Sequence, residues 1–531
     1  MRSYLLLLSL CCVGCSNVKN YNAHLNEPVA TNALQADVDY IHRKLERLHP
    51  HLYWYISKKD LDFKFDSLKT TITQPMTRSD FHKKLSPVIS AVREGHMYVY
   101  PPMKMYSKKQ NDSIKKIGVG PLSQFDFDYI DGKLYVLKNK SADKSIPAGA
   151  EVVAVNDDTP SNIINEYNRY YTSDGSNNTF KRNFAATRFS TFYTYKNGLR
   201  DSIRYQFKFG DEIKNITIKR RIADTTGLGK KTVKILTAEE KSKKRKEAKA
   251  LREKKDIYGY DEIAKVYNRE LRFAEKDSSI AVMKIRSFLK GTSEDFYAQS
   301  FRKMKDYKAK TLIIDLRNNG GGRLTEIADL YSYLADSTFV FIDPSEVVSK
   351  TSLMNIDYFK GGGAVLKVIK GIASPFVYSY LFLKIHKTDD GRFRYYANSK
   401  PRKIKPDAFK GKIYVLINGG SFSASSILSS NLKGSGRAYF VGEETGGAYN
   451  GSVAGMLPIV KLPNSDLKVR VGLVFIAPHY KTTTEGRGIF PDKEIIPTVQ
   501  DRINGIDPEM NWIMDDIHSK DNADVTTSQK L

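Results

Sequence analysis

The sequence predicts an α/β fold built on a largely parallel or mixed sheet. Two segments about a hundred residues apart, 310–322 (KTLIIDLRNNGGG) and 411–428 (GKIYVLINGGSFSASSIL), each begin as a short apolar strand that stops at glycine. A third buried strand is predicted over residues 280–285, and a helical pattern through Phe296 and Phe301 follows it. Such alternation of strands and helices is typical of a sheet covered by helices.

Composition limits the kind of protein. With 531 residues, of which 41% are hydrophobic, the chain is long enough for roughly two to four packed domains. The formal net charge is +26, but lysine and arginine are spread along the chain and accompany no zinc-finger or RNA-recognition motif. We therefore expect no nucleic-acid partner. A basic surface that faces anionic lipid or acidic polymers accounts for the charge.

The N-terminus resembles a lipoprotein signal peptide. Arg2 gives a basic start, residues 4–13 are apolar but too short to span a membrane as a mature helix, and Cys12-Val-Gly-Cys15-Ser follows. Cys15 would become the lipidated first residue; an ordinary secretory signal cleaved elsewhere is the alternative. Because all three cysteines lie at or before Cys15, we expect no disulfide, cysteine nucleophile or cysteine metal site in the mature chain.

Changes of pattern divide the chain into domains. Leu34, Val38 and Ile41 have helical spacing, whereas short alternating strands begin near residue 117. The predicted parts are a signal peptide (1–15), a polar tether (16–31), an N-terminal helical domain (32–105), a β subdomain (117–220), a charged linker or helix (236–275), the α/β core (279–500) with an insertion (340–405), and a C-terminal tail (501–531).

The insertion contains an unusually apolar segment, residues 358–385. Lys367, Lys370 and Pro375 interrupt it, so we do not predict a membrane span. It lies between the two glycine-ended strands, so we expect it to cover the cleft beside them as a lid, with Gly361 to Gly363 as the hinge. The alternative is a helix packed permanently on the core.

The serine cluster after the second strand predicts a nucleophile. A serine on a strand-to-helix turn is exposed, and the N–H groups at the start of the helix can stabilise an oxyanion. The chain therefore looks like a serine hydrolase. There is no His-Glu-x-x-His motif, P-loop or cysteine pair to indicate another chemistry, so we expect no metal and no cofactor.

Three motifs in order resemble the tail-specific, or carboxyl-terminal processing, serine proteases: residues 315–322 (DLRNNGGG), 420–425 (GSFSAS) and 441–447 (VGEETGG). The resemblance covers about residues 279–498 and implies a mixed-sheet, crotonase-like protease core. In the lysine-dependent branch, the catalytic lysine follows the third motif, but here that position is Ala448. The chain is instead similar to the tricorn core protease branch, in which a histidine from the N-terminal helical region replaces the lysine.

That resemblance implies a triad. It selects Ser423 as nucleophile, His96 in Glu94-Gly-His as base, and Glu485 in Glu-Gly-Arg-Gly-Ile-Phe-Pro-Asp as the residue that orients the histidine. The additional serine of the tricorn tetrad is Gly95 here. An imidazole has the pKa that a serine base needs, and His479 is the second candidate for that role.

The neighbouring residues have predicted supporting roles. The oxyanion hole would use the N–H of Ala424 and that of Gly320 or Gly321. Ser421 and Ser425 are expected to cap the helix, and Asp315 to hold the glycine loop by hydrogen bonds. Residues 146–157 (IPAGAEVVAVND) resemble a PDZ pattern, which implies binding of an extended chain end; a β subdomain with a packing role only is the alternative.

We therefore expect a lipid-anchored serine endopeptidase of the cell envelope that cleaves extended or unfolded polypeptides through an acyl-enzyme. Its expected partners are a polypeptide substrate and, through the lipid on Cys15, a membrane. A catalytically silent lipoprotein that binds peptides or an apolar ligand on the same scaffold is the main alternative. A lipid-anchored scaffold protein is a further one. The oligomeric state does not follow from the sequence.

Overall fold

The computed structural model describes residues 18–222, 237–274 and 277–528. Cys15 and the predicted signal peptide lie outside the described residues, so processing and lipidation at Cys15 stay predictions.

The N-terminal part is helical, as predicted. Its elements are α1 (Val18–His24), α2 (Thr31–Leu48), α3 (Lys58–Thr70), α4 (Arg78–Ser90), β1 (Tyr98–Tyr100) and α5 (Lys108–Ile117). Helix α2 buries the predicted apolar stripe. The predicted tether is wrong in part, because residues 18–24 are helical and Asn22 Nδ2 donates a hydrogen bond to the carbonyl of Met105 at 2.7 Å.

The β subdomain is a five-stranded antiparallel sheet with two helices. Its elements are β2 (Phe125–Ile130), β3 (Lys133–Asn139), β4 (Glu151–Val155), α6 (Pro160–Asn168), α7 (Thr179–Asn197), β5 (Ser202–Phe209) and β6 (Glu212–Lys219). The sheet order follows the chain order, and the subdomain has its own hydrophobic core. A PDZ-like function stays a prediction. The loop between α6 and α7 leaves this body and reaches the core domain.

The charged segment forms a solvated helix, as predicted. Helix α8 (Ala238–Ile257) begins at a capping box in which Thr237 and Glu240 exchange hydrogen bonds with each other's backbone N–H, and it has no buried residue among those described. A hairpin of β7 (Tyr260–Asp261) and β8 (Val266–Tyr267) connects it to the core.

The core domain contains the remaining elements. They are β9 (Arg269–Ala274), β10 (Asp277–Ile285), α9 (Ser293–Asp306), β11 (Thr311–Asp315), α10 (Leu324–Ser332), β12 (Ser345–Val347), α11 (Ala364–Leu383), β13 (Ile385–Lys387), β14 (Phe393–Tyr395), β15 (Lys412–Ile417), α12 (Ala424–Gly434), β16 (Tyr439–Gly442), β17 (Ser452–Ala454), β18 (Ile459–Lys461), β19 (Lys468–Arg470), β20 (Val474–Ile476), β21 (Lys493–Glu494), α13 (Val499–Asn504) and α14 (Pro508–Ser528).

The central sheet is mixed and has the order β21-β16-β15-β11-β10-β9. Strands β10, β11, β15, β16 and β21 are parallel, and β9 pairs antiparallel at the edge. The two glycine-ended strands predicted from the sequence, β11 and β15, are direct neighbours, so the loops at their carboxyl ends meet. The mixed α/β fold class is therefore confirmed.

Helices cover both faces of this sheet. Helices α9, α10 and α12 share the main hydrophobic core with one face, whereas Ile513 and Ile517 of α14 pack against the other. The prediction of a tail from residue 501 is wrong for this reason: the apolar residues of α14 cover a sheet face. Arg317 also pairs with Asp507 (Nη1–Oδ1 2.7 Å) and Glu509, so the segment stabilises the end of β11.

Strands of the insertion join a second sheet of order β13-β14-β12-β20-β17. Helix α11 attaches to the core through Leu381, its one buried residue, and through Val377 and Tyr378, so most of its apolar surface is exposed. Across the described residues, α11 is the one helix long and apolar enough to cross a membrane by length and composition. The third small sheet, β1-β19-β18, attaches the N-terminal region to the core.

Candidate active site

Ser423 lies on the sharp turn between β15 and α12. Its φ of 58° and ψ of −119° are strained for a residue with a side chain, and such strain is common where a nucleophile must be held exposed at a helix N-terminus. The turn is fixed to the glycine loop after β11, because Phe422 N–H donates to the carbonyl of Asn319 at 3.0 Å.

Ser421 and Ser425 make further hydrogen bonds between these two loops. Ser421 Oγ donates to the carbonyl of Leu316, and Ser425 Oγ donates to the carbonyl of Asn319, each at 2.8 Å. Both side chains are buried. The expected capping role is therefore wrong for both: their hydroxyls act as donors to the neighbouring loop, which fixes the position of Ser423.

The structure brings His96 and Ser423 together. His96 Nε2 lies 3.0 Å from Ser423 Oγ, and the imidazole packs on the Phe422 ring with centroids 4.7 Å apart. The backbone carbonyl of His96 accepts from Arg470 Nε at 2.6 Å, which fixes the histidine loop against β19. Burial, together with the positive charge of Arg470, lowers the pKa of His96 to about 4, whereas the negative charge of Asp174 opposes this shift. A neutral imidazole can accept the proton of the serine hydroxyl.

A carboxylate that the sequence did not indicate faces the other imidazole nitrogen. Glu94 Oε1 lies 3.2 Å from His96 Nδ1, and Glu94 Oε2 accepts from the N–H of Val453 at 2.8 Å. Glu94 is fully buried, and this burial raises its pKa to about 7 despite these hydrogen bonds. The only sequence signal was its place two residues before His96, which allows its side chain to fold back on the ring.

Glu485, the predicted orienting residue, occupies a different place. Its side chain is exposed, and its Oε1 accepts from Asn450 Nδ2 at 2.9 Å. Glu94, two residues before His96, occupies the position expected for Glu485. His479, the second candidate base, is also elsewhere: it is exposed and its Nδ1 lies 3.1 Å from Asp343 Oδ1.

Asp174 is a second buried carboxyl at the site, and it belongs to the loop between α6 and α7. Its Oδ1 accepts from the N–H of Gly95 at 2.8 Å, and its Oδ2 accepts from the N–H of Ala448 at 3.1 Å. Burial, together with the negative charge of Glu94, raises the pKa of Asp174 to about 8. No pattern in the sequence indicates this residue.

Glu94, His96 and Asp174 place one nitrogen and two carboxyl oxygens within 4.8 Å of one another. Three ligands of these types could hold a cation. Here both oxygens of each carboxyl accept from backbone or imidazole N–H groups, and His96 Nε2 is directed at Ser423. The group is therefore organised as a hydrogen-bonded relay, and we assign no metal to it.

The glycine loop supplies N–H groups beside the serine. Gly321 N–H donates to Asn319 Oδ1 at 2.9 Å, so it is not available for substrate. In the described part of the chain, no acceptor is bonded to the N–H of Ala424 or Gly322, and both residues border the cavity beside Ser423. Gly320 does not border that cavity. Gly322, which was not among the predicted oxyanion donors, is thus better placed than Gly320 or Gly321.

Asp315 fixes the start of this loop, as predicted. It accepts from the backbone N–H of Arg317 at 3.1 Å and from the guanidinium of the same residue, and Lys284 Nζ donates to it at 2.9 Å. Hydrogen bonds and charge from Arg317 and Lys284 keep the pKa of Asp315 below its usual value, although burial opposes them.

A cavity of about 360 Å³ opens beside Ser423. Apolar side chains dominate its wall, among them Leu324, Ile427, Met456, Val474 and Ile476. The edge strand β17 borders it, as do Tyr395 and Asn398 of the insertion. The residues that border the cavity include none from 358–385, so the predicted lid segment does not cover the site in this structure; the insertion reaches the cleft through the loop at β14 instead.

This arrangement is typical of a serine hydrolase. The α/β core carries a serine on a strand-to-helix turn, a histidine lies at the serine hydroxyl, and a buried carboxyl lies behind the histidine. Residues 279–495 match the model of peptidase family S41. This match covers 217 of the 531 residues and includes Ser423, so the core domain is similar to the S41 peptidases.

The relatives are distant. A tail-specific protease from Haemophilus influenzae is 29% identical over 169 residues, which are 32% of this chain and 17% of that protein, so the match spans less than a fifth of the relative. Among solved structures, mature CPAF matches with a TM-score of 0.54 and 15% identity over 90% of this chain and 95% of that one. Mature CPAF complexed with lactacystin matches with a TM-score of 0.57 and 15% identity, over 91% of this chain and 97% of that one. At these identities the likeness concerns the fold.

Proposed function

We propose that this protein is a serine endopeptidase of the cell envelope, lipid-anchored through Cys15, that hydrolyses extended polypeptides with Ser423 as nucleophile and His96 as base. The observation that carries the catalytic assignment is the 3.0 Å contact between His96 Nε2 and Ser423 Oγ across 327 residues of chain. A hydroxyl that faces a neutral imidazole is the arrangement that nucleophilic catalysis needs, and the domain that carries Ser423 is similar to a peptidase family.

The reaction follows from these positions. Ser423 Oγ attacks the carbonyl carbon of the scissile bond while its proton passes to His96 Nε2. The N–H groups of Ala424 and Gly322 stabilise the negative charge on the carbonyl oxygen. His96 then gives the proton to the departing amine, which leaves an ester on Ser423. Water hydrolyses this ester by the same sequence of proton transfers.

Glu94 is assigned the orienting role in place of Glu485. With Nδ1–H of His96 donating to the Glu94 carboxylate, Nε2 is left without a proton and can accept from Ser423. The carboxylate also stabilises the imidazolium that forms during attack. Asp174 holds the loop that carries Glu94 and His96, because it accepts from the N–H of Gly95 between them.

The substrate assignment rests on the walls of the cleft. Strand β17 lies at the edge of its sheet next to Ser423, where an extended chain can lie alongside it, and the apolar cavity accepts a hydrophobic side chain next to the scissile bond. We therefore propose cleavage after apolar residues in extended or unfolded segments.

Covalent labelling with a fluorophosphonate, followed by peptide mapping, tests the catalytic assignment. The label should be found on Ser423 and should be lost in Ser423→Ala. His96→Ala should lower the labelling rate as severely, whereas His479→Ala, the matched histidine control, should label like the wild type. Labelling of another serine, or an unchanged rate in His96→Ala, would refute the assignment.

A further inference from the structure

Helix α11 presents its apolar side to solvent. The residues that share this side are uncharged, and each is more than half exposed: Val365, Val368, Ile369, Ile372, Phe376, Tyr380 and Leu383. Their spacing of three or four places them along one face of the helix. We call these seven residues the outer stripe. A soluble helix normally turns such a stripe inward, so its exposure requires an explanation.

The opposite side attaches the helix to the protein. Leu381 is buried, Val377 and Tyr378 pack against the main core, and the Tyr378 and Tyr358 rings lie 5.8 Å apart. Lys370 belongs to this inner side as well, because its Nζ donates to the carbonyl of Lys360 at 3.0 Å. The helix is therefore docked in one orientation, with the outer stripe directed away from the body.

The charges within and beside the helix are mostly positive. Residues 360–387 contain five lysines and no aspartate or glutamate, and one of these lysines, Lys360, pairs with Asp357 outside that range (Nζ–Oδ2 2.8 Å). None of these lysines belongs to the outer stripe. Lys367 and Lys370 are on the other side of the helix, and Lys360, Lys384 and Lys387 lie beyond its ends. An apolar face bordered by lysines is typical of helices that lie in the surface of an anionic bilayer.

We propose that α11 inserts its outer stripe into the surface of an anionic membrane, parallel to the bilayer plane. A symmetric dimer is the competing occupant, but pairing two outer stripes would also bring together the lysines of two copies, with no acidic residue in the segment to compensate. A bilayer offers the apolar phase for the stripe and the phosphates for the lysines at the same depth. This contact does not depend on acylation of Cys15.

Helix α11 is connected directly to the wall of the cleft. Helix α11 continues through β13 into β14, and Tyr395 and Asn398 at the end of that segment border the cavity beside Ser423. The segment that would contact the membrane therefore also forms one wall of the cleft.

Position-specific quenching by brominated lipid tests the proposal with the full chain. Phe376→Trp places a probe in the outer stripe, Tyr378→Trp places one on the inner side, and Ile263→Trp is a control at a highly exposed apolar site on another element. The fluorescence of the unsubstituted chain, which contains two tryptophans, is subtracted. In vesicles of phosphatidylglycerol and phosphatidylcholine, we expect several-fold stronger quenching at 376 than at 378 or 263. Vesicles without phosphatidylglycerol should give much less.

Two results would overturn the proposal. Equal quenching at 376 and 378 would mean that the helix leaves the body and spans or enters the bilayer as a whole. Absence of quenching at 376, together with a dimer in sedimentation equilibrium that Ile372→Asp dissociates and Ile263→Asp does not, would assign the stripe to a second copy.

Discussion

Asp174 accepts a hydrogen bond from the backbone N–H of Ala448, 274 residues later in the chain. Its second oxygen accepts from Gly95, next to His96, so one carboxyl from the loop that follows α6 joins the histidine loop to the loop after β16. A Cβ on Gly95 would lie 2.8 Å from the Phe422 ring and 3.1 Å from Asp174 Oδ1. The space in which the tricorn branch is expected to hold a serine side chain is thus occupied here.

The first prediction separates the two candidate orienting residues. Glu94→Gln should lower kcat/KM by roughly 10²–10⁴-fold, because an amide N–H facing His96 Nδ1 favours the tautomer that carries its proton on Nε2. Glu485→Gln is the matched control and should change kcat/KM by less than about threefold, since its carboxyl is bonded to Asn450. Peptide hydrolysis and fluorophosphonate labelling both measure the effect. A large loss in Glu485→Gln with an active Glu94→Gln would return the role to Glu485.

The second prediction concerns stability against pH. Burial raises the pKa of Glu94 to about 7 and that of Asp174 to about 8, well above the values of these carboxyls in the unfolded chain. The folded state therefore binds more protons than the unfolded state up to about pH 8, so the free energy of unfolding falls as pH rises. His96, whose pKa is lowered to about 4, has the opposite effect below pH 6.5 but none above it.

Between pH 6.5 and 8.5 we expect the free energy of unfolding to fall by about 2 kcal/mol, a size set by 1.4 kcal/mol per pKa unit. Urea unfolding at half-unit pH steps measures it. Ser423→Ala should keep this slope. Glu94→Gln combined with Asp174→Asn should remove most of it, and an unchanged slope in that double variant would show that other groups are responsible.

The strand patterns predicted β11 and β15, their glycine ends and the fold class, because buried parallel strands are continuous apolar runs that local sequence reveals. Ser423 and His96 came from motif resemblance. Asp174 could not be predicted, because its role depends on how a separate subdomain docks. Glu94 was not predicted as the orienting residue, because the motif resemblance indicated Glu485. The packing of α14 could not be predicted, because nothing in the local sequence shows which sheet face is left uncovered.

The third prediction compares two adjacent glycines. Gly321 has a φ of +100°, and a Cβ there would lie 2.7 Å from Ser423 Cβ and 2.8 Å from the nitrogen of Ala424. Gly321→Ala should therefore displace the nucleophile turn and lower kcat/KM by at least about 100-fold, with a loss of about 1–3 kcal/mol in stability. A Cβ on Gly320 would meet no atom within 4 Å, so Gly320→Ala should fold normally and keep activity within a few-fold. Kinetics and urea unfolding of both variants test this, and equal behaviour would contradict the geometry.

The last prediction concerns the cavity beside Ser423. Ala454 of β17 borders this 360 Å³ space together with Ile427 and Ile476, so a larger side chain at 454 removes volume where the substrate side chain would lie. Ala454→Leu should lower kcat/KM for peptide esters with phenylalanine before the scissile bond by roughly 10–100-fold, the size expected when a pocket loses a few methylenes of space. Esters with alanine at that position should be affected less than about threefold, because they leave the space unfilled. Ala454→Ser keeps the volume and should behave like the wild type with both esters. If Ala454→Leu slows both substrates equally, the cavity does not receive that side chain and the substitution acts on the nucleophile itself.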